Sequence, residues 1–170
     1  MRPKLTIALL VLTLLPAAGR ASTAASAGCR LADAHVETAI AAQASAAGGD
    51  EYCQYRRYEA LSDLDGDGRP DFLVLFTVEP GAGNEHRGFL AAFLSGDAPQ
   101  AAPIVVETGR RGERDAVALR VEGRRVVLDT LEYLPTDAMC CPSGKGTLTF
   151  ELSGHGMHRV DAAAPKPAGS

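Results

Sequence analysis

Apolar residues fall along this chain in three rhythms. In residues 31–47 (LADAHVETAIAAQASAA) Leu31, Val36, Ile40 and Ala44 fall roughly on one face of a segment rich in helix formers. This predicts a short amphipathic helix, ended by Gly48-Gly49. In residues 72–78 (FLVLFTV) the apolar positions are continuous, the mark of a central strand covered on both faces. Residues 88–94 (GFLAAFL) predict a second apolar strand, antiparallel to the first across the turn-rich segment 79–86 (EPGAGNEH). Farther on the pattern alternates. Val117, Leu119 and Val121 interleave with Ala118 and Arg120, and Leu148, Phe150 and Leu152 interleave with Thr149 and Glu151, which predicts half-buried strands. Glu122-Gly123 reads as a hairpin turn into a returning strand at 125–133. Short strands at 103–107 and 157–160 complete a set of about seven.

These elements define an α+β class: an N-terminal helix followed by a mainly antiparallel curled sheet or small open barrel. At 170 residues the chain suits a single domain, expected over 29–160. No propeller or solenoid period repeats. The tail 161–170 is expected to be disordered.

The start of the chain follows a different logic. Arg2 and Lys4 precede the apolar run LTIALLVLTLL, and small residues follow at PAAGRASTAASAG. That order predicts a secretory signal peptide at 1–21, with cleavage as late as 27 as the alternative. The run is short of the about 20 residues that span a bilayer, and no later segment qualifies. The expected location is periplasmic or secreted. Lipid attachment at Cys29 is the alternative: Ser26-Ala27-Gly28-Cys29 has the small residues of a lipoprotein site, but Ser26 stands where Leu is usual.

Removal of residues 1–21 leaves 14 basic against 21 acidic residues, a net charge of −7. That balance disfavours nucleic acid, whose phosphates need clustered Lys and Arg. Four cysteines, Cys29, Cys53, Cys140 and Cys141, suit disulfides in an exported chain and allow three pairings. The preferred pairing is Cys29–Cys53 with a vicinal Cys140–Cys141 bridge. Cross-pairing between the two groups stays open.

The segment DLDGDGRPD places Asp63, Asp65, Asp67 and Asp71 at positions 1, 3, 5 and 9 of a tight loop. Alternating carboxylates around a glycine turn suit calcium, which takes about six to eight oxygen ligands from a flexible cage. The aspartates, the carbonyl of Arg69 and a water would supply them. Gly66 and Gly68 permit the backbone conformations required. Val74 stands where an EF-hand needs its bidentate Glu, so this is no EF-hand. The pattern D-x-D-x-D-G-x-x-D before a strand resembles the calcium loops of integrin-type propeller repeats, the FG-GAP and VCBS class. Over roughly residues 58–160 the chain also resembles a group of small exported bacterial proteins. These carry a D-L-D/N-G-D-G-x-x-D loop, an apolar strand and a late D-P-M-C-C-P-S/T segment, here DAMCCPS at 137–143 with Ala138 in place of Pro. The resemblance implies an exported domain without an established activity.

Other chemistry is sparse. Cys140-Cys141 reads as a structural staple, since no C-x-x-C motif is present. His35, His86, His155 and His158 are scattered, and no G-x-S-x-G elbow occurs. Glu79, Glu85, Asp129, Glu132 and Asp137 are the acids from which a hydrolase pair would have to come. The sequence favours a non-enzymatic, calcium-ordered and disulfide-stapled domain. It would bind a protein or envelope ligand through its sheet face or the 79–86 loop. A periplasmic inhibitor of a protein enzyme and a small hydrolase are the alternatives.

Overall fold

The computed structural model describes residues 23–26, 33–55, 57–81, 84–98, 101–154 and 156–160. The expected signal peptide at 1–21, Cys29 and the tail lie outside the described residues. Helix α1 (Ala34–Ala46) falls inside the expected helical segment. The Asp33 carboxylate accepts the N–H groups of His35 (2.8 Å) and Val36 (3.3 Å), satisfying two donors of the first turn. Among the described residues no helix is long and apolar enough to cross a membrane.

Ten strands are described: β1 (Thr23–Ser26), β2 (Gly49–Glu51), β3 (Arg57–Ser62), β4 (Asp71–Pro80), β5 (Arg87–Phe93), β6 (Ile104–Arg110), β7 (Arg114–Glu122), β8 (Arg125–Glu132), β9 (Gly144–Ser153) and β10 (Gly156–Arg159). They form two antiparallel sheets, one ordered β1-β3-β4-β5-β6 with β2 also on β4, the other β10-β9-β8-β7. Both sheets are open. The barrel alternative is thereby corrected, and the expected count of about seven rises to ten. The seven expected strands correspond to β4 through β10. Three strands are additional: β1, which pairs with β3; β2 (GDE), which has no apolar residue; and β3 (RYEALS), which has no apolar run. Strand β4 offers both β2 and β3 a partner. The hairpin turn also moves by one residue. Glu122 pairs with Arg125, so Gly123-Arg124 forms the loop, with Gly123 at φ +64°.

The layers explain the unbroken apolar run. Val74, Phe76 and Val78 of β4 pack against Val36, Ile40 and Ala44 of α1. Leu73 and Leu75 face the second sheet, where Leu119, Leu128, Leu148 and Phe150 meet them. Side chains alternate along a strand, so a strand between two apolar layers has no polar face. Each such side chain, fully buried, contributes about 1.5–3 kcal/mol.

One ionic joint ties α1 to the first sheet. Arg57 at the start of β3 is 2% exposed. Its Nη1 donates to Glu37 of α1 (2.6 Å), and its Nε and Nη2 donate to Glu51 of β2. Desolvation alone would lower the guanidinium pKa, but the hydrogen bonds from Glu51 and Glu37 outweigh it and raise the value. Removing one member of such a buried set strands the others. Arg57→Met is therefore expected to lose about 3–5 kcal/mol in urea unfolding. Arg125→Met, which removes an exposed pair with Glu151, is expected to lose far less.

Candidate functional site

The acidic loop joins β3 to β4 and is anchored at its second position. Leu64 is fully buried in the core between the sheets. Its N–H donates to Asp71 Oδ2 (2.8 Å), and its carbonyl accepts from Nε of Arg124 (2.8 Å) in the β7–β8 turn. Asp71 is itself fully buried, and its Oδ1 accepts the N–H of Ser95 (2.9 Å) just past β5. One side chain and one peptide group thus bind the loop to both sheets.

Within the loop, Asp63 accepts the N–H groups of Gly66 (2.7 Å) and Gly68 (3.1 Å), and Asp65 accepts that of Asp67 (2.9 Å). Gly66 and Gly68 sit at φ +84° and +86°, the left-handed region that a side chain disfavours. Asp63, Asp65 and Asp71 each bring one carboxylate oxygen within 4.8 Å of the other two. Asp67 turns elsewhere. Its Oδ2 accepts Nη2 (2.6 Å) and Nε (2.9 Å) of Arg69, and its Oδ1 accepts the Arg69 N–H (2.8 Å). The Arg69 backbone N–H and then its guanidinium hold the Asp67 carboxyl below the usual range.

Three close carboxylates repel one another unless a cation lies between them. Each has about four lone-pair positions, so the N–H bonds leave capacity for a metal. Ser95 Oγ is buried at the same strand end without a hydrogen-bond partner among the described residues. Sequence alone missed Ser95 and Arg124, which approach from remote segments. Leu64, an apolar residue inside a run of acids, was the one local signal of the anchor.

The other end of β4 carries different chemistry. From Asp71 to Glu79 is about 26 Å at roughly 3.3 Å per residue. There a cavity of about 200 Å³ is bounded by residues of four segments: Tyr52 and Tyr55; Glu79, Asn84, Glu85 and His86; Arg111; and Tyr133, Met139 and Cys140. His86 Nε2 lies 2.5 Å from Asp115 Oδ1, with both side chains nearly buried. The His86 ring packs on Tyr55 at 5.3 Å, and Tyr55 packs on Tyr52 at 5.2 Å. Arg111 donates to the carbonyl oxygens of Met139 (3.0 Å) and Asn84, joining two rims of the cavity. The Tyr133 hydroxyl donates to the same Met139 oxygen (3.1 Å). Burial first, and then the charge of Asp115, pushes the phenols of Tyr55 and Tyr133 above the ordinary tyrosine value.

Cys140 and Cys141 are bonded to each other, as preferred from sequence. Their loop is closed by Asp137, which accepts the N–H groups of Leu134 (2.8 Å) and Ser143 (2.9 Å) and the Ser143 hydroxyl (2.7 Å). Cys53 is also disulfide-bonded; its expected partner Cys29 lies outside the described residues. Of the acids set aside earlier, Asp129 pairs with Arg120 and Glu132 with Arg114, while Glu79 and Glu85 line the cavity. His35 packs edge-on against Phe93, and His155 lies outside the described residues. Among the described residues no Ser, Thr or free thiol lines the cavity.

The Leu134 N–H, then the hydroxyl and N–H of Ser143, hold the Asp137 carboxyl below the usual range. A depressed folded pKa means that its contribution is present above about pH 3.9 and lost as pH falls through the lower folded value. Thermal melts are expected to separate the wild type from Asp137→Asn near neutral pH and to bring the two together in strong acid.

No protein-family model, curated protein or solved structure matches this chain, and what it does is read from the two ends of β4.

Proposed function

We propose that this is an exported binding domain whose acidic loop is ordered by one calcium ion and whose ligand enters at the opposite end of β4. The convergence of Asp63, Asp65 and Asp71 within 4.8 Å carries the metal assignment. Calcium suits it better than magnesium because it accepts more protein oxygens in a flexible arrangement. The remaining ligands would come from loop carbonyls, that of Arg69 included, and from water. Asp67, engaged by Arg69, would sit outside the first ring of ligands.

The ion's role in this reading is structural. It would cancel repulsion among three carboxylates and fix the Leu64 anchor, and with it the contacts to Ser95 and Arg124. The cavity is about 26 Å away along β4, too far for the ion to touch a ligand there. Binding is preferred to acyl transfer because, among the described residues, no Ser, Thr or free thiol lines the cavity beside His86. It is preferred to an inhibitory loop because Arg111 ties down the carbonyl of Asn84. The partner is an extracellular or envelope component, and the acidic balance disfavours nucleic acid.

Calcium is expected to raise the melting temperature relative to chelator, by the equivalent of about 2.7 kcal/mol at a hundredfold excess over Kd. Asp63→Asn with Asp65→Asn should abolish that rise, whereas Asp67→Asn should keep most of it. A calorimetric titration without heat at millimolar calcium would end the assignment.

A further inference from the structure

We propose that the cavity beside His86 is a site for a small organic cation, an alkylammonium group about the size of choline. The inference rests on the binding-domain reading and is independent of the calcium ion. Three tyrosines, Tyr52, Tyr55 and Tyr133, line the cavity, and two of them continue the His86 stack at 5.2 and 5.3 Å. Aromatic faces attract cations through the ring quadrupole, most strongly where water is thin.

The charges point the same way. Asp115 is engaged by His86. Arg111, the one lysine or arginine lining the cavity among the described residues, donates two of its N–H groups to the carbonyls of Asn84 and Met139. The Glu79 side chain has no ion-pair or hydrogen-bond partner among the described residues, and the contact of Glu85 with Arg87 is long at 3.8 Å. Among the described residues, two lining carboxylates therefore face one lining guanidinium. An anion would meet the wrong sign. Glu79 is also held in place: a Cβ on Gly49 of β2 would lie 1.9 Å from the Glu79 carbonyl oxygen, so only glycine lets β2 clamp this part of β4. The volume, about 200 Å³, is below the about 300 Å³ at which drug-sized sites begin, and it suits a compact headgroup.

The chain has no tryptophan and only four tyrosines, so three of its four native fluorophores line this cavity. Tyrosine fluorescence of the exported protein, titrated with choline, its neutral isostere 3,3-dimethylbutanol, and acetate, reads the site directly. Choline is expected to give a saturable change and to bind about tenfold more tightly than the neutral isostere. Glu79→Gln and Tyr55→Leu are each expected to weaken choline about fivefold, while Glu122→Gln in the distant β7–β8 turn leaves it unchanged. Equal or tighter binding of dimethylbutanol or acetate would overturn the cation and leave the cavity as a ligand site. A response to none of the three would overturn both the cation and the ligand site at this end of β4. Melting curves of the variants confirm that each is folded.

Discussion

The molecule depends on keeping β4 dry on both faces. Val74, Phe76 and Val78 face α1 while Leu73 and Leu75 face the second sheet, so between Phe72 and Val78 no charged side chain can be placed. Chemistry is displaced to the ends of the strand. At its start, Asp71 is fully buried because it has a task there: its two oxygens collect the N–H groups of Leu64 and Ser95, donors that would otherwise be stranded. At its end, Glu79 emerges into a cavity with aromatic walls. The same burial that makes β4 the most apolar element sorts the two polar sites about 26 Å apart.

What was legible in the sequence follows from how local each cause is. The unbroken run FLVLFTV announced a doubly covered strand because its burial is uniform, and α1 announced itself by its helix-forming residues and by Val36, Ile40 and Ala44 falling on one face, the three that are buried. The D-x-D-x-D-G spacing announced a glycine-dependent acidic turn, and the left-handed Gly66 and Gly68 follow from it. Strands β2 and β3 were hidden because β2 has no apolar residue and β3 no apolar run, and β4 recruits them from one side, β3 at Asp71–Leu75 and β2 at Val78–Pro80. Alternating segments reveal a half-buried sheet but not how many sheets share the core, which is why one curled sheet or barrel was expected where two open sheets stand. Asp67 illustrates a finer limit. Position 5 of the pattern predicts a ligand, yet an arginine two residues on competes for the same oxygens.

The cavity was the least legible part. His86 and Asp115 are 29 residues apart, and Arg111 meets an oxygen 28 residues away. Only the antiparallel return of β5, β6 and β7 brings those segments to one end. The 79–86 loop was singled out by composition, but two of the three tyrosines, Tyr52 and Tyr55, come from a segment between two strands that were themselves unforeseen.

That segment also shows how the fold supports recognition. Tyr52 and Tyr55 lie between β2 and β3, and the ends of those strands are joined by the Glu51–Arg57 ion pair. The Tyr52 N–H donates to Thr77 of β4 (2.8 Å), the Tyr55 N–H donates to Tyr52 (3.1 Å), and Cys53 between them is disulfide-bonded. On the facing side, the vicinal bridge and the Asp137 clamp fix the loop that carries Met139 and Cys140. Each constraint removes conformational freedom before a ligand arrives, and ordering side chains on binding costs about 0.5–1.5 kcal/mol apiece. A cavity this small offers few contacts, so useful affinity requires that this cost be met in folding. The buried Arg57 joint, which looks like a helix-to-sheet fastener, is on this argument also what holds the aromatic wall in place.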